Sequence, residues 1–304
     1  MPLEPMLAHP TDIELARTRQ KQWAMEPKLD GVRCIITRHR TKLTLTSRSG
    51  KSYTEKLPRL VEQLFDLLPP QTVLDCELGY PVARFDSALP CLDFNRTMRV
   101  LGSGPDVAFN KWRLNLPDVI TPYVFDVLYW EGEDLTEQPL WDRRVKVDWL
   151  HDELDMVVTP YMEYFDEATY NAYVDAGGEG VMLKNPNGRY QPGKRPSQNW
   201  YKLKKYDTVD AHLTGQVLPG QGKYEGGVGA VYFRTEEGDT GKCSGMDDLT
   251  REHMTAMWLQ GILEGKAIEV KYFGRVGQGE EGLRHPNFVR WRPDKDKGTL
   301  DKGL

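Results

Sequence analysis

Short β-rich runs scattered between isolated helical stretches, with no regular strand–helix–strand rhythm, set the strongest limit on how this chain folds. That pattern argues against a doubly wound parallel sheet and for an α+β architecture of mainly antiparallel sheets with helices. Residues 23–29 alternate loosely, Asp30 and Gly31 follow, and Val32 to Thr37 is again β-rich, which reads as two strands joined by an Asp-Gly hairpin turn. Leu57, Leu60, Val61, Leu64, Phe65 and Leu68 recur at helical spacing within 54–68. Further strands are predicted at 72–80, 120–130, 157–164, 180–185 and 199–204, and helices at 141–150 and 167–175, the latter stopped by Gly177-Gly178. The stretch from Arg84 to Arg113 holds Pro90, Gly102, Gly104 and Pro105 and has weak periodicity, so it reads as a long insertion or loop.

After Tyr206 the character changes. Short β-like runs at 209–218, 228–235, 267–273 and 288–291 surround a Gly-rich PGQGKYEGGVG segment and one helix at about 247–263. A few short strands and one helix fit a small barrel such as an OB-fold. The domain boundary is therefore placed near residue 205, and 304 residues suffice for two domains with real cores. No apolar run approaches the roughly 18 residues of a membrane span. The first residues carry acids and prolines where a signal peptide carries a basic and then an apolar region, so a cytoplasmic protein is expected. Cys34, Cys76, Cys91 and Cys243 lack CxxC spacing, which argues for free thiols rather than a zinc site.

A net charge of −5 argues mildly against a nucleic-acid binder, but the charge is clustered. Seven basic residues lie between Lys184 and Lys205, with no acid between Glu179 and Asp207. Such a run is either a solvated face or a phosphate-facing groove.

Several residues have the chemistry of a phosphate-handling site. In EPKLDGVR, Lys28 beside a turn is by itself an ordinary surface lysine, yet a lysine that loses its proton is a covalent nucleophile. Lys202 and Lys204 alternate and so share one strand face; if that face meets Lys28, it supplies cations that favour the neutral amine. Glu77 in VLDCELGY and Glu179 in GGEGVMLK are lone acids in apolar strand settings, of the kind that hold Mg²⁺ near a triphosphate. No P-loop and no kinase motif set is present, so phosphate handling would rest on lysines, arginines and acids.

In this order the segments resemble the covalent nucleotidyltransferase superfamily, and within it the ATP-dependent DNA ligases of the two-domain bacteriophage type. PMLA at Pro5 to Ala8 is similar to the entry segment, and Lys28, Asp30, Gly31 and Arg33 match the KxDGxR motif. SRSG with Arg48, DCELG with Glu77, and VFDVLY with Phe125 and Asp126 follow. EGVMLK with Glu179 and Lys184, WYKLKK with Trp200, Lys202 and Lys204, and RWRPDK with Arg292, Asp294 and Lys295 complete the set.

The resemblance implies an adenylation domain at 1–205 and an OB-fold domain at 206–304, acting as a monomer with ATP as cosubstrate and Mg²⁺ or Mn²⁺. Lys28 would form a lysyl-AMP. Glu26, Leu29, Arg33, Glu77, Phe125, Lys184, Lys202 and Lys204 would bind the nucleotide, with Glu26 on the adenine amino group, Phe125 against the base and Arg33 on the ribose. Arg292, Asp294 and Lys295 would reach the pyrophosphate, and Glu77 and Glu179 the metal. The AMP would pass to the 5′-phosphate of a nick in duplex DNA. Arg48 would place that phosphate, with Arg84, Arg96, Arg99, Arg189, Lys194 and Arg195 as further DNA contacts. A GTP-dependent mRNA-capping guanylyltransferase shares the lysine chemistry, and an RNA ligase is a second rival. A non-catalytic OB-type nucleic-acid binder is a third, but it has no need to keep these lysines and acids together.

Overall fold

The computed structural model describes residues 3–82, 89–114, 120–274 and 282–296. The chain divides into two compact units, Met1–Lys204 and Lys205–Leu304.

The first unit is built on two sheets. Strands β1 (His9–Thr11), β2 (Ala24–Pro27), β9 (Gly180–Lys184) and β10 (Trp200–Lys204) form one, in the order β1-β10-β9-β2. The other contains β3 (Val32–Arg38), β4 (Leu43–Ser47), β5 (Thr72–Val82), β7 (Thr121–Trp130) and β8 (Glu133–Asp134), in the order β4-β3-β5-β7-β8, with β6 (Cys91–Asp93) paired to the end of β5. All these pairings are antiparallel except β1 with β10. Helices α1 (Ile13–Thr18), α2 (Pro58–Leu67), α3 (Phe94–Leu101), α4 (Pro105–Leu114), α5 (Leu140–Leu154) and α6 (Glu167–Asp175) complete the unit.

Three larger apolar clusters hold these layers, with a small fourth of Leu29, Leu92 and Tyr123. Leu60 and Leu64 of α2 and Val147 and Leu150 of α5 bury against Ile36, Leu74, Cys76 and Val127 of the second sheet. Tyr170, Tyr173 and Val174 of α6 pack on Met25, Val181 and Leu203 of the first. Between the sheets lie Met6, Ile35, Phe125, Leu128, Tyr190 and Trp200. The burial of these side chains, roughly 1.5–3 kcal/mol for each large one, fixes the seam on which the site is built.

The Asp30-Gly31 pair is not a hairpin turn. β2 pairs with β9 while β3 pairs with β4 and β5, so the chain changes sheets here. Gly31 is demanded by proximity: a Cβ would lie 2.4 Å from the Leu78 carbonyl oxygen and 2.9 Å from Glu77 Cγ. Local turn chemistry is the same for both outcomes; what decides is which strand covers each edge. The expected strand at 157–164 is likewise replaced by isolated bridges, Val158 to Val124 and Met162 to Met25. The segment read as a loop from Arg84 to Arg113 contains β6, α3 and α4 instead. Asp93 caps α3 by accepting from Arg96 N at 2.9 Å, and Thr97, Val100 and Leu101 turn inward. Eight residues are too few for a clear period, which hid the helix in the sequence. Arg84 lies outside the described residues.

The second unit is a five-stranded antiparallel sheet of β11 (Asp207–Pro219), β12 (Val228–Thr235), β13 (Thr240–Cys243), β14 (Ala267–Tyr272) and β15 (Asn287–Trp291), ordered β13-β12-β11-β14-β15. Its two edges meet where Phe288 N–H donates to the Ser244 carbonyl at 2.8 Å, which curls the sheet into a barrel. Helix α7 (Asp248–Leu259), capped by Asp247 through Thr250 N–H, places Met254 in the barrel core. No helix among the described residues is long and apolar enough to cross a membrane.

Candidate active site

A cleft of 590 Å³ opens in the first unit where the two sheets meet. Lys28 lies in it, just past the end of β2, its N–H donating to the Gly180 carbonyl at 2.8 Å. Glu26, Leu29, Arg33, Glu77, Phe125, Lys184, Lys202 and Lys204 line the same cleft, so every first-unit residue assigned to the nucleotide from sequence shares one cavity. Lys202 and Lys204 do project from one face of β10 toward Lys28, as their alternation requires.

Glu179 organises the cations. Its two carboxylate oxygens each take an ammonium, one from Lys28 and one from Lys204. The next residue, Gly180, has φ +139°, and a Cβ there would fall 2.1 Å from the Leu203 carbonyl oxygen. Only glycine lets β9 come this close to β10 and set Glu179 beside Lys204. Burial by itself raises the Glu179 carboxyl, but Lys28 and Lys204 more than reverse this and hold it below the ordinary carboxylate range. Glu77 goes the other way. Burial pushes it up to about 8, although Lys28 and Arg33 draw it down. Burial, then Lys204 and Lys28, shift the Lys202 ammonium downward. Among the described residues Lys202 makes no ion pair, so its charge is available to an anion in the cleft.

At the far end, Glu26 is buried and pairs with Lys184 at 2.6 Å, with Arg144 at 3.7 Å from its other oxygen. Burial lowers the Lys184 ammonium despite Glu26. Lys184 Nζ lies 4.6 Å from the centre of the Phe125 ring and 4.5 Å from Trp200. Arg33 is clamped by Asp75 through Nε and Nη2, at 2.6 and 2.5 Å, and Nη2 also donates to the Met6 carbonyl at 3.1 Å. Tyr190 closes this network: its hydroxyl donates to Asp75 at 2.5 Å and accepts from Met6 N–H at 2.9 Å. Asp75 carried a signal inside the DCE triplet; Tyr190 carried none, because only the fold brings it there.

Arg48 and Arg195 also line the cleft, as do Phe94 and Met98 of α3. Arg96 and Arg99 are exposed on that helix, Arg96 over the Tyr80 ring at 5.1 Å. Lys194 is exposed and Arg189 pairs with Glu137 at 2.8 Å; neither lines the cleft. In the second unit, Asp210 gathers the terminal motif, accepting Arg292 at 2.7 Å and Lys295 at 2.5 Å, while Arg292 also pairs with Asp294 at 2.9 Å.

No cluster of three or more potential metal ligands occurs among the described residues. Glu26 on the cleft wall is taken by Lys184, so Glu77, also on the wall, and Glu179, which lies behind Lys28 and Lys204, are the acids at hand. That set fits Mg²⁺, which keeps several waters and takes one or two carboxylates together with substrate phosphates.

Residues 5–204 match the family model for the ATP dependent DNA ligase domain, and residues 219–292 match that for the DNA ligase OB-like domain. A DNA ligase of Archaeoglobus fulgidus is 29% identical over 99% of this chain. The chain spans 57% of that relative's length. Among solved structures, Pmar-Lig_PreS3 has a TM-score of 0.74 at 21% identity, covering 96% of this chain and 68% of that one. A Lig E DNA ligase, described as binding DNA with a minimal scaffold, has a TM-score of 0.68 at 19% identity, covering 96% of this chain and all of that one. The adenylation-type sheets, the OB-like barrel and the two family matches lead to one conclusion: the chain belongs to the ATP-dependent DNA ligase family.

Proposed function

We propose that this chain is an ATP-dependent DNA ligase that seals nicks between a 5′-phosphate and a 3′-hydroxyl in duplex DNA, with Lys28 as its nucleophile. The observation that carries this reading is the cleft that holds Lys28 together with Glu77, Lys202 and Lys204, with Glu179 paired to Lys28 and Lys204 at its edge. A lysine amine, two carboxylates and two further cations are what nucleotidyl transfer to nitrogen requires.

In the first step Lys28 Nζ attacks the α-phosphorus of ATP. The N–P bond forms, the bond to the bridging oxygen breaks, and pyrophosphate leaves. Lys28 must first leave Glu179 and give up a proton to water, so that the neutral amine attacks. Lys202 and Lys204 neutralise the charge that builds on the α-phosphate oxygens. Arg33, braced by Asp75 and Tyr190, is held to meet the ribose, and Glu26 and Phe125 the base. A Mg²⁺ ion held by Glu77 and Glu179 would supply Lewis-acid stabilisation of the same charge. Arg292, Asp294 and Lys295 are assigned to contact the pyrophosphate.

In the second step an oxygen of the nick's 5′-phosphate attacks the lysyl-AMP phosphorus and frees the lysine. In the third, the 3′-hydroxyl attacks the activated 5′-phosphorus and AMP departs. Arg48 and Arg195, at the cleft, carry charge suited to the 5′-phosphate.

The test is sealing of a labelled nicked duplex with Mg²⁺ and either ATP or GTP, by wild type and Lys28→Ala. Ligated product with ATP only, and none from the variant, is expected. Sealing by Lys28→Ala, or use of GTP, contradicts the reading.

A further inference from the structure

Helix α5 is apolar on two faces. Leu140, Val147 and Leu150 point inward and are buried. Trp141, Val145 and Trp149, each four residues apart, form a stripe about 12 Å long on the opposite side. They remain 38%, 66% and 37% exposed. Such a stripe of large apolar side chains calls for a cover.

Each end of the stripe opens into a hollow. Trp149 packs edge-on against Trp130 at 5.1 Å, beside a hollow of 720 Å³ that Phe65 and Leu67 also line. Trp141 packs edge-on against Tyr161 at 5.3 Å and borders a second hollow of 510 Å³, mostly polar, that Tyr164, Glu163, Arg19 and Lys21 also line. Along the helix itself the charge is mainly acidic. Asp142, Asp152 and Glu153 are exposed there, Asp148 pairs with Arg144 at 2.9 Å, and the cations Lys146 and Arg38 lie at one hollow and Arg19 and Lys21 at the other. Carboxylates in this number repel nucleic-acid phosphate and attract cations.

We propose that this face docks a basic amphipathic helix of a partner protein. Two of its apolar side chains, about two turns apart, cover Trp141 and Trp149, the latter at the hollow that Phe65 and Leu67 line, and its lysines or arginines meet Asp142, Asp152 and Glu153. None of these residues lines the nucleotide cleft, so the proposal stands independently of the ligase reading.

The probe is a labelled synthetic helix of about 18 residues, with leucines at the two anchor positions and lysines elsewhere, titrated with the full chain. Saturable binding is expected, weakened about tenfold by Val145→Lys and by Trp149→Ala. Asp142→Asn with Asp152→Asn should weaken it and flatten its salt dependence. The same peptide with glutamates for lysines should not bind. Val145 is 66% exposed, so Val145→Lys should melt like wild type. Absent binding, equal binding by wild type and both variants, or equal binding of the glutamate peptide overturns the proposal. A wild-type dimer that Val145→Lys dissolves also overturns it, giving the face to a second copy of the chain.

Discussion

The Lys28 ammonium is paired with the Glu179 carboxylate, 151 positions away in sequence, at the place where the two sheets meet. In the free protein the proposed nucleophile is thus parked on an acid that Lys204 also engages. Loading with nucleotide has to exchange this ion pair for phosphate. Glu179→Gln keeps the shape but removes the charge that orders both lysines. It should slow single-turnover label transfer from ATP by about a hundredfold or more, with the fold retained. A rate within a few-fold of wild type would remove Glu179 from the chemistry.

Asp126 stands beside Phe125 within the aromatic motif, but its role in the structure is architectural. It is fully buried and takes Arg143 through Nε and Nη2 at 2.7 and 2.9 Å, with both side chains at 0% exposure. Removing one partner leaves an uncompensated buried charge, at a cost of about 3–5 kcal/mol. Urea unfolding of Asp126→Asn should show a loss of that order. An Asp126→Leu, Arg143→Met double variant should lose much less. Equal losses would argue against charge isolation as the cause.

Tyr190 braces Asp75, which clamps Arg33. Tyr190→Phe deletes the donor to Asp75 and the acceptor for Met6 N–H. The change should raise KM for ATP several-fold and leave kcat nearly unchanged, because Arg33 is misplaced rather than removed. A fall in kcat at constant KM would assign Tyr190 to the transition state instead.

Glu77 gives the stability a pH dependence of known sign. Burial raises its folded-state carboxyl from the ordinary 4.5 to about 8, so between these values the folded chain holds a proton the unfolded chain has released. Stability from this group is full below 4.5 and is lost as pH rises through about 8. Glu77→Gln should therefore gain stability over wild type at pH 8 compared with pH 5, measured by urea midpoint without nucleotide or metal. Parallel pH profiles for the two proteins would refute this.

Arg96 and Arg99 face solvent on α3, whose Phe94 and Met98 border the cleft. Neutralising both to glutamine should weaken binding of a nicked duplex and reduce the salt slope by about 0.9 for each DNA phosphate that is no longer neutralised. Arg189, paired with Glu137 and outside the cleft, serves as the comparison and should change little.

Most of the cleft's lining was legible in the sequence as a candidate site because its residues sit in contiguous motifs whose spacing survives folding. The alternation of Lys202 and Lys204 implied one strand face, and both do reach Lys28's cleft. Sheet membership was not legible. Asp30-Gly31 has the chemistry of a hairpin turn, and only the pairing of β2 with β9 and of β3 with β5 makes it a crossover. The short helix α3 lacked a period long enough to read, and its Phe94 and Met98 were missed with it. Tyr190 meets Asp75 across 115 positions, an approach set by tertiary packing that no local pattern encodes.

The central claim is tested most directly by locating the bound nucleotide. The protein is stripped of any adenylate with pyrophosphate, incubated with ATP and Mg²⁺, digested and mapped by mass spectrometry, then chased with a nicked duplex. AMP on Lys28, discharged as the nick is sealed, is the expected result. AMP on another residue, GMP loading from GTP, or no nucleotide in a folded protein would contradict the account.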